Sequence, residues 1–113
     1  EVVHARQDLE GHLIGVADLL GHGTRTAVAF NDPEAATRLL GALQSDPGVH
    51  GARIELADGR VFATYGPSAW PPTVGAGATG VEEWGELLLV SRPIVSDGRR
   101  LGTIRVQGSL EHA

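Results

Sequence analysis

Residues 26–65 read TAVAFNDPEAATRLLGALQSDPGVHGARIELADGRVFATY, and within them the apolar pattern changes period once. Asp32 stands where a helix N-cap belongs. Its carboxylate can accept from one of the first free backbone N–H groups, and Pro33 at the next position has no N–H to leave unpaired. Ala35, Ala36, Leu39, Leu40 and Leu43 follow at helical spacing until Ser45-Asp46-Pro47-Gly48 signals a turn. The period then becomes two: Ala52, Ile54 and Leu56 alternate with Arg53 and Glu55. Asp58-Gly59 supplies the residues of a two-residue hairpin turn, and Val61–Tyr65 alternates again. The prediction is a short helix feeding a β-hairpin.

Upstream, Leu9, Leu13, Val16, Leu20 and Ala27 recur every three or four positions between about Val3 and Phe30, which places them on one helical face. Gly11, Gly15, Gly21 and Gly23 each weaken a helix by roughly 1 kcal/mol relative to Ala, so a break is expected at Gly21–Gly23. A second short turn over Ala27–Phe30 would then seat Phe30 in the core. Downstream, Gly66–Gly85 is rich in Gly, Pro and small residues without periodicity and reads as one long loop. Such a loop is either functional or a variable connection. Glu86–Arg92 reads as a buried strand broken or bulged at Pro93. Asp97-Gly98 makes a second hairpin turn, and Leu101–Gln107 returns with Ile104 and Val106 inward. The fold class expected is α+β: an antiparallel sheet of about five strands with a long N-terminal helix and a short helix on one face. A helical region over 1–30 precedes a core over 31–110.

Composition narrows the function. At 113 residues the chain is one domain able to bury its own core, and 42% hydrophobic with 20% charged residues is a globular balance. A net charge of -5 with nine scattered Arg and no Lys provides no phosphate-tracking surface, so nucleic acid is not an expected partner. The absence of Cys removes disulfides and thiolate metal sites. No apolar run approaches the roughly 20 residues of a membrane span. With no Met present, the chain is read as an excised piece of a longer protein. Leu110-Glu111-His112 is set aside as a possible vector scar.

No catalytic constellation emerges. Gly75–Gly80 spells GxGxxG, but Trp70-Pro71-Pro72 precedes it and a strand-like run follows, whereas a dinucleotide fingerprint needs a strand before and a helix after. His4, His12, His22, His50 and His112 never fall at i, i+4, so no helical metal site is expected. The serines lie in no nucleophile elbow, and Glu82-Glu83 reads as a solvated pair. One constellation is cationic. A two-residue turn at Asp58-Gly59 leaves Arg53, Glu55, Phe62 and Thr64 opposite the apolar face. A two-residue turn at Asp97-Gly98 adds Arg92, Thr103 and Arg105 to that side unless a bulge shifts the register. Arg53, Arg92 and Arg105 would then converge on a small anionic ligand, with Trp70 and Trp84 nearby in the long loop. The commoner arrangement is a solvated face paired with Glu55 and Glu86.

The run Ala29–Pro33, the apolar positions Ala36, Leu39, Leu40 and Leu43, then Val49, Ala52, Asp58–Ala63 and Tyr65 resemble a CHASE-type periplasmic sensor domain of bacterial membrane receptors. Arg92–Val95, Asp97-Gly98 and Leu101-Gly102 match as well, around a variable loop. The resemblance implies a PAS-like fold between two transmembrane helices of an inner-membrane protein, commonly ahead of a HAMP linker in diguanylate cyclases, which make cyclic di-GMP, or histidine kinases. It implies a domain without enzymatic activity or cofactor, a homodimer packed through Leu9, Leu13, Val16 and Leu20, and in some relatives a small periplasmic repressor protein as partner. A structural dimerisation module and a small α+β enzyme are the other classes weighed.

Overall fold

The computed structural model describes residues 2–67, 70 and 77–110, with side chains from residue 5 onward. The element order is α1 (Val2–Ala29), α2 (Pro33–Gly41), a 3-10 turn (Ala42–Ser45), β1 (Gly51–Leu56), β2 (Val61–Tyr65), β3 (Gly80–Trp84), β4 (Leu87–Ser96) and β5 (Arg99–Ser109). The strands form one antiparallel sheet in the order β2-β1-β5-β4-β3, with both helices on one face. This is the α+β arrangement expected from the sequence. Part of the predicted long loop is strand: Gly80–Trp84 pairs with Leu87–Ser91 as the edge strand β3.

α1 runs unbroken for 28 residues, against the break predicted at Gly21–Gly23. Packing overrides propensity there. Gly21 is buried where a Cβ would meet Ile104 at 3.5 Å and Ile94 at 3.7 Å, and buried Thr24 returns its hydroxyl to the Leu20 carbonyl at 2.7 Å. Leu9, Leu13, Ala17, Ala27 and Val28 form its buried stripe. The helix ends with Asn31 in the left-handed region, φ 55°, while the Asp32 N–H reaches the Ala27 carbonyl and the Asn31 N–H that of Val28, a Schellman closure. This closure turns Phe30 outward, 79% exposed, and the core position expected for it is filled by Ala27 and Val28. Asp32 caps α2 as predicted, accepting from the Ala35 N–H at 3.1 Å, and Ala36, Leu40 and Leu43 face inward.

The two hairpins differ. Asp97 and Gly98 both have positive φ, as a two-residue type I′ turn requires. At the first hairpin only Gly59 does. The Gly59 N–H bonds the Leu56 carbonyl and the Leu56 N–H bonds the Arg60 carbonyl, closing a three-residue loop. The extra loop residue pairs Val61 with Glu55, and a bulge at Phe62 restores the expected Ile54–Ala63 pair. Val61 therefore joins the face away from the helices, and Phe62 packs half-buried against the core. A second bulge pairs Ile94 with Gly102 and Val95 with Arg100, skipping Leu101. It lies across from the position predicted for a break, and β4 passes through Pro93 without interruption.

α1 crosses β5 in the opposite direction. A Cβ on Gly108 would stand 3.1 Å from both Leu13 methyls, Gly21 lies against Ile104, and Ala29 shares a cleft with Arg99 and Leu101. The N-terminal end of α1 and the C-terminal end of β5 thus lie at one pole. Among the described residues, two ion pairs, Arg6 with Glu83 (3.3 Å) and Asp18 with Arg92 (2.9 Å), and a hydrogen bond between His12 Nε2 and the Asp46 carboxylate (2.7 Å) tie α1 to the remainder.

Candidate functional site

The sheet face turned away from the helices is polar yet buried. β5 contributes Thr103, Arg105, Gln107 and Ser109 at every second position, and β1 contributes Arg53 and Glu55. Cross-strand pairing puts Thr64, Arg53, Arg105 and Ser91 in one row and Val61, Glu55 and Thr103 in the next. Arg105 has no exposed surface, and Glu55 retains 5%. Pro67, Trp70, Gly77 and Ala78 lie over this face. The Arg105 guanidinium donates to the Ala78 carbonyl at 3.0 Å and the Ser91 hydroxyl at 2.7 Å, while Arg100 donates to the Gly77 carbonyl and, at 2.7 Å, to the Thr103 hydroxyl. Backbone carbonyls of the connecting segment thus satisfy cations of the sheet, so this face is a roofed layer instead of a solvated one.

Glu55 sits between two cations. One oxygen is 3.1 Å from Arg105 Nε and the other 2.7 Å from Arg53 Nη2. Arg53 also lies under the Trp70 ring, 4.9 Å from its centroid, and the indole N–H is anchored on the Pro67 carbonyl at 3.0 Å. Beside this stack Arg53, Val61, Thr64, Gly66, Pro67 and Trp70 line an open cleft of about 220 Å³. Among the described residues, two buried nitrogens here, Arg53 Nε and the amide of Gln107, have no hydrogen-bond partner.

The sequence-predicted residues separate into groups. Arg53, Thr64, Arg105 and Trp70 come together on the roofed face. Arg92 does not: the bulge at Leu101 pairs it with Ile104, which puts it on the helix side bound to Asp18. Phe62 turns to the core, and Val61 occupies the place expected for it. Trp84 pairs with Leu87 on edge strand β3, three strand positions from β1 or about 14 Å away. Sequence reasoning missed Ser91 and Gln107. Polar residues alternate through Thr103, Arg105, Gln107 and Ser109, but such alternation normally marks a solvent face, and nothing local announces a roof.

Within the candidate dimer helix, Leu9 and Leu13 are buried against the sheet of their own chain. Val16 and Leu20 are half-buried and, with Leu19 and the Ala42–Pro47 segment, line an apolar groove of about 400 Å³. The described residues hold no group of His, Asp and Glu fit to ligate a metal. Gly75 and Ala76 of the GxGxxG string lie outside the described residues, as does His112, while Gly80 opens a strand instead of a helix. No described helix is long and apolar enough to cross a membrane.

A family model described as a periplasmic sensor domain, CHASE8, matches residues 5–107, which run from the first turns of α1 almost to the end of β5. No curated protein matches the chain.

Proposed function

Because the chain belongs to the CHASE8 family of periplasmic sensor domains, we propose that it receives a signal at the roofed sheet face and passes it to the pole shared by α1 and β5. The observation that carries this reading is the packing of α1 along β5, whose opposite face holds Arg105 under the roof. A ligand or partner that moves the roof acts on the same strand that supports α1. It works by binding one arrangement more tightly than another, since equal affinity for both shifts nothing. The domain itself performs no catalysis. Its output belongs to a membrane-anchored parent, a diguanylate cyclase by preference or a histidine kinase, with each end of the shared pole leading to a transmembrane helix and a HAMP segment following. A small periplasmic regulatory protein is a second kind of partner for the roof segment.

The parent acts as a homodimer, and the groove beside α1 is the surface offered for it, since Leu19 there is 72% exposed next to Val16 and Leu20. Reading the encoding gene on both sides of this chain tests the receptor assignment. Apolar helices of about 20 residues on both flanks, then HAMP and a cyclase or kinase, are the expected result. Flanks encoding a soluble enzyme would overturn it.

A further inference from the structure

We propose that the cleft lined by Arg53, Val61, Thr64, Gly66, Pro67 and Trp70 binds a small monocarboxylic acid, with the carboxylate on Arg53 and the hydrocarbon part between Val61 and Trp70. The head group follows from the state of Arg53. Its Nη2 is held by Glu55, but that carboxylate also serves Arg105, and the Arg53 side chain keeps 19% of its surface exposed and lines the cleft. A guanidinium that shares its carboxylate partner can donate to a second acceptor from its accessible side, and the oxyanion that best matches its planar fork is a carboxylate. Thr64 faces Arg53 across the β1–β2 pair and offers its hydroxyl to the same group.

The tail follows from the walls. Val61, Pro67 and the Trp70 ring are apolar, and about 220 Å³ is below the roughly 300–1,000 Å³ of sites for drug-sized ligands, so the fitting acid is short. Gly66 forms the rim with φ +93°, where a Cβ would stand 2.7 Å from the His50 carbonyl, so the rim is built to a fixed shape. A ligand here touches Trp70 directly and reaches Arg105 through Glu55. The inference gives the sensor reading above a ligand class and depends on that reading for its biological sense. Its test reads binding alone, so failure of one leaves the other standing.

The test is an NMR titration of the purified chain with acetate, butyrate and valerate at fixed ionic strength and pH, with inorganic phosphate as a competing oxyanion. The chain has two Trp, and a Trp84→Phe variant assigns the indole signals. The expected result is a saturating shift of the Trp70 indole N–H with little change at Trp84, tighter binding for butyrate than acetate, and weaker binding of phosphate. Arg53→Gln should lower butyrate affinity by about tenfold or more, the loss of a charge-assisted contact, while Arg92→Gln on the other face leaves it unchanged. Absence of saturation with every acid, phosphate binding as tightly as butyrate, or unchanged affinity in Arg53→Gln would overturn the proposal. If Arg53→Gln fails to fold, Val61→Phe decides. It leaves the ionic cluster intact and narrows the cleft, so the best acid becomes shorter, and an unaltered series overturns the assignment.

Discussion

Glu55 is buried between two guanidiniums, Arg53 and Arg105. Removing one member of a buried charge cluster leaves the others desolvated and uncompensated, so Glu55→Ala is expected to cost about 3–5 kcal/mol in urea unfolding. Asp18→Ala breaks a pair of similar geometry at the surface, and a loss of no more than about 1 kcal/mol is expected. Asp58 provides a pH reading. The Arg60 backbone N–H at 3.0 Å and then its side chain at 2.7 Å favour the ionised carboxylate and hold its pKa below the ordinary 3.8. A group depressed in the folded state contributes stability above its unfolded pKa and loses it as pH falls through the folded one. The Asp58 carboxyl should therefore titrate below 3.8 by NMR in the native protein, and Arg60→Ala should move its midpoint upward.

Among the elements, α1 is held by burial and positioned by charge. Leu13 has no exposed surface and fills the space left by the missing side chain of Gly108. Leu13→Ala is expected to cost about 2–5 kcal/mol in chemical denaturation, several times the loss for any single ion pair of the helix. Gly108→Val should be as damaging from the other side, because its Cβ would stand 2.6 Å from the Gly48 carbonyl as well as against Leu13. The hairpin β1–β2 shows a different control. One residue added in the turn is cancelled by one bulged residue at Phe62, so strand register beyond Ala63 is unchanged while Val61 and Phe62 exchange roles. At the second hairpin the bulge at Leu101 has no compensating residue, and every β4 side chain beyond it changes face.

For the whole molecule, the sheet separates two layers with different chemistry: an apolar interface with the helices and a polar layer beneath the connecting segment. The first fixes the fold, and the second adjoins the proposed binding cleft. The proposed dimer uses neither, since its groove lies beside α1. Leu19→Asp should therefore lower the mass measured by light scattering while leaving the circular dichroism spectrum unchanged. A dimer that persists in Leu19→Asp would place the interface elsewhere. Leu13→Asp should instead lose the folded spectrum, because it introduces a charge into the core.

What the sequence determined by itself was carried by short-range rules. Asp32-Pro33 starts a helix, a change from helical period to alternation marks the passage into the sheet, and Asp97-Gly98 closes a turn, because capping and turn geometry involve neighbours along the chain. Tertiary structure decided the rest. Gly21 stays helical because Ile94 and Ile104 pack on it, Arg92 leaves the cationic face because one bulge inverts its register, and alternating polar residues of β5 are buried because a distant segment covers them. Each depends on contacts between residues far apart in the chain, and those contacts leave no periodic trace in the strand or helix that receives them.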